Sequence, residues 1–178
     1  MLPKRVKIDD LNYDRFVHTS YPVGSSSIQH QLDEQRDLRN NDEFPASLTE
    51  HNTLIRQQFF DVDDIDFEYL GSQLGMDVIT VSAILQEPGH VNPVHRDTFY
   101  QIGKRFPVDS RTKARANIFL EDWVPGHLIQ YETHDGWVTV DNWKQGEGVM
   151  WTSETAHIGA NAGLTNKYTL QVSGFLRS

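Results

Sequence analysis

The chain has 178 residues, no cysteine, and 16 Lys and Arg against 25 Asp and Glu, for a formal charge of −9. This length suits one domain that buries a core without covalent staples, and the lack of cysteine excludes disulfides, thiolate catalysis and cysteine-held zinc or iron–sulfur clusters. Net acidity opposes association with nucleic acid; with no apolar run of membrane-spanning length and no signal-type apolar region after the basic N-terminus, the expectation is a cytoplasmic protein away from membranes.

The first 45 residues have weak periodicity and many turn formers, and the polar stretch over 28–41 reads either as a short helix or as a flap that orders on ligand binding. Ser47-Leu48-Thr49-Glu50 is a capping-box pattern followed by Ile55 and Phe59 at helical spacing, which predicts a helix over 47–60. A second helix is predicted from Val62, with acidic residues in its first turn and Gly75 past its end. From Met76 onward β-branched runs dominate, and strands are predicted at 77–86, 94–101, 113–121, 127–133, 136–141, 147–152, 156–160 and 166–176. Short strands after two helices suggest a mainly β jelly roll or sandwich, with residues 1–75 packing on or capping a β core over 76–178.

Two strands carry polar residues on one alternating face: Arg115, Asn117 and Phe119 in one, Lys167, Thr169, Gln171 and Ser173 in the other. Periodicity admits either a half-exposed sheet with its polar face to water or a polar-lined cavity. The basic cluster of Lys104, Arg105, Arg111, Lys113 and Arg115 reads as a solvated, charge-rich loop.

The stretch from Gln86 to Tyr100 holds a His-x-Asp pair, His95 and Asp97. In extended backbone, residues i and i+2 face the same side, so this pair offers an imidazole nitrogen and a carboxylate oxygen to one metal ion while Arg96 points away. A further histidine would complete the two-histidine, one-carboxylate face used by non-heme Fe(II) oxygenases. The pair alone is near chance frequency, and His95-Arg96-Asp97 as a kinase catalytic loop is excluded because no Gly-rich phosphate loop or Asp-Phe-Gly accompanies it.

The layout of His95 and Asp97, a β-rich spacer, His157 and then Lys167 ten positions later resembles the Fe(II)/2-oxoglutarate-dependent oxygenase superfamily. The series Trp143, Gly146, Trp151, His157 and Asn161 resembles its compact branch, related to aspartyl/asparaginyl β-hydroxylases and prolyl 4-hydroxylases, over about residues 76–176. The resemblance implies a double-stranded β-helix whose second strand ends in the His-x-Asp pair and whose seventh supplies the distal histidine. It implies that His95, Asp97 and His157 hold Fe(II), and that Lys167 meets the distal carboxylate of 2-oxoglutarate. Arg115 is the rival for that carboxylate, Asn117 faces the same space and Thr169 offers a hydroxyl. The implied reaction is O₂-dependent hydroxylation of a C–H bond with release of succinate and CO₂, with ascorbate as reductant. Many relatives place arginine where Lys167 stands; lysine holds a carboxylate as a point charge without the bidentate fork. The aspartyl-hydroxylase branch often lacks the metal-binding carboxylate that Asp97 provides, so that branch's substrate is not inherited.

Around this set, Tyr100, Gln101 and Trp151 are expected to line the site or support it, and His90 to face substrate or solvent. His127 is expected to line the cavity or cap its strand, while His134 sits in an Asp-Gly hairpin that favours exposure. Net charge favours a small polar or cationic molecule, or a peptide, as substrate. Two other readings stand beside this one: a cupin-like metalloenzyme of another reaction type, with His90 as a fourth ligand, and a non-catalytic jelly-roll binding protein.

Overall fold

The structure, a computed structural model, describes residues 3–26 and 47–177; the helix or flap read over 28–41 lies outside them. In chain order the elements are β1 (Lys4–Lys7), α1 (Tyr13–Val17), β2 (Val23–Ser26), β3 (Leu54–Phe60), α2 (Phe67–Leu74), β4 (Met76–Gln86), β5 (Val91–His95) and α3 (Tyr100–Arg105). They continue with β6 (Lys113–Phe119), β7 (His127–Thr133), β8 (Gly136–Val140), β9 (Glu147–Thr152), β10 (His157–Asn161) and β11 (Lys167–Leu176). All pairings are antiparallel, in a large sheet ordered β1-β9-β6-β11-β4-β3-β2 and a small sheet ordered β5-β10-β7-β8.

Strands β4 to β11 form a double-stranded β-helix, the jelly-roll architecture expected from the sequence. The chain passes between the two sheets so that the second strand of this set, β5, and the seventh, β10, lie side by side, with His95 opposite His157. Period-two alternation gives the large sheet two unlike faces. Ala83, Ala116, Ile118, Leu170 and Val172 turn outward and bury against Phe16 of α1 and Leu70 and Leu74 of α2. The opposite face carries Ser82 and Gln86, Arg115 and Asn117, and Lys167 and Thr169, and it looks into a cavity rather than into water. A second cluster joins the sheets, with Phe119, Val149 and Trp151 from one side against Ile129, Tyr131 and Val140 from the other, and Trp143 stacked on Phe119.

The predicted helix over 47–60 does not form. Asn52 and Thr49 satisfy each other's backbone N–H groups through their side chains, and Asn52 also donates to the Ser47 carbonyl. These bonds close a local turn instead of opening a helix. The following residues pair with β4, from Arg56 opposite Leu85 to Phe60 opposite Val81, because strand pairing along β4 outweighs a local helical pattern. The short β1 and β2, unread in the sequence, extend the same sheet at its two edges. The second predicted helix is present but starts later: the Asp66 side chain accepts from the Tyr69 N–H at 2.9 Å and Gly75 ends it at φ 70°. The predicted strand over 94–101 is split, since β5 stops at His95 and Phe99, at φ 50°, turns the chain into α3. There Phe99 and Ile102 bury against Phe175.

β11 bulges between Ser173 and Gly174 where it pairs with β4. A Cβ on Gly174 would lie 1.9 Å from the Asp77 carbonyl oxygen. Gly174→Ala is expected to lower stability by about 1–3 kcal/mol or more, seen as a fall in the urea midpoint without a change in m.

Candidate metal and cosubstrate site

His95 ends β5 and His157 begins β10, so strand pairing alone brings their rings to a centroid separation of 4.1 Å. Asp97, two residues beyond His95, lies 3.9 Å from His95 Nε2 through one oxygen and 3.7 Å from His157 Nε2 through the other. Arg96 points outward to Glu132 and the Glu154 carbonyl, as the i, i+2 argument requires. Among the described residues these three form the group of His, Cys, Asp or Glu side chains able to hold a metal ion, with their ligand atoms within 4.8 Å of one another.

Both histidines have their tautomer set by the backbone. His95 Nδ1 bonds to the Pro93 carbonyl at 2.7 Å and His157 Nδ1 to the Thr155 carbonyl at 3.1 Å. A carbonyl only accepts, so each Nδ1 carries the proton and each Nε2 turns a lone pair toward Asp97. Tying the far nitrogen to a carbonyl in this way is how proteins orient metal-ligating imidazoles.

Asp97 is buried, which by itself would raise its pKa. Arg115 beside it outweighs this, helped by the Trp151 N–H, and the carboxyl is held well below the usual carboxylate range. Arg115 Nη1 donates to one oxygen at 2.5 Å and Trp151 Nε1 to the other at 2.7 Å. Arg115 Nε also donates to Ser173 Oγ at 3.0 Å, and its guanidinium lies 5.2 Å from the centroid of the Phe99 ring. The Trp151 ring sits 4.2 Å from that of His157.

The site opens into a cavity of about 690 Å³ between the sheets. Lys167 lines it from β11 and is only 3% exposed, unlike most lysines at strand starts. Its ammonium donates to the Leu128 carbonyl at 2.6 Å, the Ala160 carbonyl at 3.2 Å and Gln86 Oε1 at 3.3 Å. Burial pushes Lys167 down to about 7, with the Glu121 carboxyl pulling the other way; Glu121, itself partly buried, is pushed up to about 7. Thr169, Asn117, Tyr100 and Gln101 also line the cavity. The buried side-chain oxygens of Asn117 and Thr98 have no hydrogen-bond partner among the described residues, and Thr98 lines the same space.

His90 is not at this site. It precedes β5, is buried with its ring 5.9 Å from that of His51, and does not line the cavity. Arg115, read as a rival cosubstrate residue, is committed to Asp97 and Ser173. His127 is shut away from the cavity, its Nε2 donating to the Thr165 carbonyl at 3.2 Å, and His134 is exposed. Sequence reading missed Gln86, Ser173 and Glu121 as supports. Ser173 shares the alternating face of β11 with Lys167 and Thr169, and Gln86 lies on the cavity face of β4, so period two contained their signal; nothing local marked Glu121.

The chain is thus an eight-stranded double-stranded β-helix in which two histidines and an aspartate converge at an internal cavity as a candidate metal centre. Several crystal structures share this fold. A Pseudomonas putida prolyl-4-hydroxylase aligns over 93% of this chain and 97% of its own at TM-score 0.52 and 19% identity. The non-heme α-ketoglutarate-dependent epimerase SnoN from nogalamycin biosynthesis aligns over 92% and 80%, at TM-score 0.53 and 15% identity. The carbocyclase SnoK of the same biosynthesis aligns over 68% and 64%, at TM-score 0.50 and 13% identity. No family model matches the sequence and no curated protein matches it, so the likeness is one of fold. No helix among the described residues is long and apolar enough to cross a membrane.

Proposed function

We propose that this protein is a mononuclear Fe(II)/2-oxoglutarate-dependent oxygenase that hydroxylates a C–H bond, with release of succinate and CO₂. The observation that carries the reading is the convergence of two Nε2 lone pairs and an ionised carboxylate at one buried point, with both Nδ1 atoms tied to carbonyls. This donor set suits Fe(II) and leaves positions open for further ligands. Iron and 2-oxoglutarate, when bound, supply the oxidising chemistry with O₂; the protein's part is binding, orientation and exclusion of side reactions.

In this reading His95, Asp97 and His157 hold the metal. Trp151 and Arg115 orient Asp97 and keep it ionised. Lys167 meets the distal carboxylate of 2-oxoglutarate, with the Thr169 hydroxyl and the Asn117 amide on the same cavity wall. Arg115 is the weaker candidate for that carboxylate because its charge is already paired with Asp97, whereas the Lys167 ammonium meets only neutral acceptors. The position of His90 supports this reading over a metalloenzyme with a fourth histidine ligand.

With Fe(II), ascorbate and O₂ and no added substrate, the wild type is expected to convert 2-oxoglutarate slowly to succinate. Metal loading is checked in parallel by tryptophan fluorescence on Mn(II) titration, since Trp151 touches both His157 and Asp97. Loaded protein with no succinate above the protein-free control would sink the cosubstrate assignment, and absence of Mn(II) binding would support a non-catalytic binding protein.

A further inference from the structure

The chain carries a net charge of −9, yet the charged residues lining its cavity are Lys104, Arg105, Arg115 and Lys167 against Asp97 alone, leaving the histidines aside. Two of the four cations have assigned work: Arg115 is paired with Asp97, and Lys167 is held at the buried end among carbonyls. Lys104 and Arg105 are exposed in the last turn of α3, so they stand where the cavity meets solvent. Neither makes an ion pair with a carboxylate among the described residues, whereas nearby Arg111 is engaged by Asp109 and Asp77. Their charged ends lie near aromatic rings, Lys104 Nζ 6.0 Å from the Tyr100 centroid and the Arg105 guanidinium 5.3 Å from that of Phe106. Lys113 Nζ comes up beside Gly103 of the same helix and adds a third positive charge.

Resting on the oxygenase reading, we infer that the substrate is a small anionic molecule whose carboxylate or phosphate is bound by Lys104 and Arg105 at the cavity opening. Its reactive carbon then points inward toward His95, Asp97 and His157. The cosubstrate's own negative charge does not account for these two residues, because its distal carboxylate has Lys167 and its other end belongs at the metal. A cavity of about 690 Å³ is in the range of small-molecule sites. Clefts lined by one sign of charge concentrate counter-ions of the other, here against the sign of the whole protein. This departs from the small polar or cationic molecule, or peptide, that net charge alone suggests.

The test is ligand-observed NMR on protein loaded with Zn(II) and 2-oxoglutarate. The probes are benzoate and phenyl phosphate, with benzamide and phenol as neutral counterparts, and the titration is repeated on Mn(II)-loaded protein to read proximity to the metal from line broadening. At least one anion is expected to bind about tenfold or more tighter than its neutral counterpart, a difference of about 1.4 kcal/mol, and to broaden with Mn(II). That margin should vanish in the Lys104→Ala/Arg105→Ala double variant and shrink on the wild type as salt is raised. A margin carried by benzoate, by phenyl phosphate or by both supports the inference and says which group is recognised. Normal loading with no preference for either anion, or a margin that survives both the double variant and high salt, overturns the inference and leaves the oxygenase reading intact. Failure of the wild type to load metal and 2-oxoglutarate removes that reading and the inference with it.

Discussion

Asp97→Ala is expected to abolish conversion of 2-oxoglutarate to succinate and to weaken Mn(II) binding by about a hundredfold or more. The carboxylate is the one anionic donor among the three, and the groups around it act together to keep it ionised. Without it, two imidazoles and the Arg115 guanidinium face one another, and a dication entering that space meets a positive charge instead of a negative one. The variant also leaves the Trp151 N–H and an Arg115 donor without their acceptor, at about 1–3 kcal/mol for each donor that stays buried. The Arg115 side chain is 21% exposed, so water relieves part of its share. Asp97→Asn separates the two effects. It keeps an oxygen for one of these donors but removes the charge, so it should fold more stably than the alanine variant while binding Mn(II) almost as poorly. Turnover retained in Asp97→Ala would remove this triad from consideration as the iron site.

Lys167→Ala should raise the 2-oxoglutarate concentration needed for half-saturation by about tenfold to a hundredfold, with a smaller effect on Mn(II) affinity. A buried ammonium facing a carboxylate is worth more than a surface pair, since its loss leaves the other charge unmatched. The opposite order, metal affinity suffering more than cosubstrate affinity, would favour Arg115 as the residue that meets the carboxylate. The lowered pKa adds a sign that a purely structural lysine would not show. Free Lys167 titrates near 7 because burial disfavours the ammonium, and a bound carboxylate favours it. Below about 7 the lysine is already charged and affinity is flat. Above it, each cosubstrate bound takes up one proton, so affinity falls with rising pH by up to about tenfold per unit until the pKa of the complex is reached. Calorimetric titration of Mn(II)-loaded protein in buffers of different ionisation enthalpy reads that proton directly, and Lys167→Ala should remove both the slope and the proton.

Much of the site was legible because its logic is local. Period two assigned Arg115, Asn117, Lys167 and Thr169 to faces that now look into the cavity, and the i, i+2 relation placed His95 and Asp97 together with Arg96 outside. Where reading failed, the deciding partner was distant in sequence. The segment over 54–60 carries a helical pattern, but β4 needed a neighbour and strand pairing prevailed. The run after His95 is rich enough for a strand, but Phe99 and Ile102 have a buried place against Phe175, some seventy residues away, and the chain turns there into α3.

By itself the sequence determined the strand runs, their polar and apolar faces, and the residue types able to hold a divalent metal, since these depend on alternation and side-chain chemistry. Only the tertiary structure decided what those faces look upon. A polar strand face meets water or an enclosed cavity according to whether a second sheet covers it, and here β5, β10 and β7 do. That same enclosure drives Lys167 to a near-neutral pKa, commits Arg115 to Asp97 and leaves Lys104 and Arg105 at the opening, because burial and the distance between charges are properties of the folded arrangement.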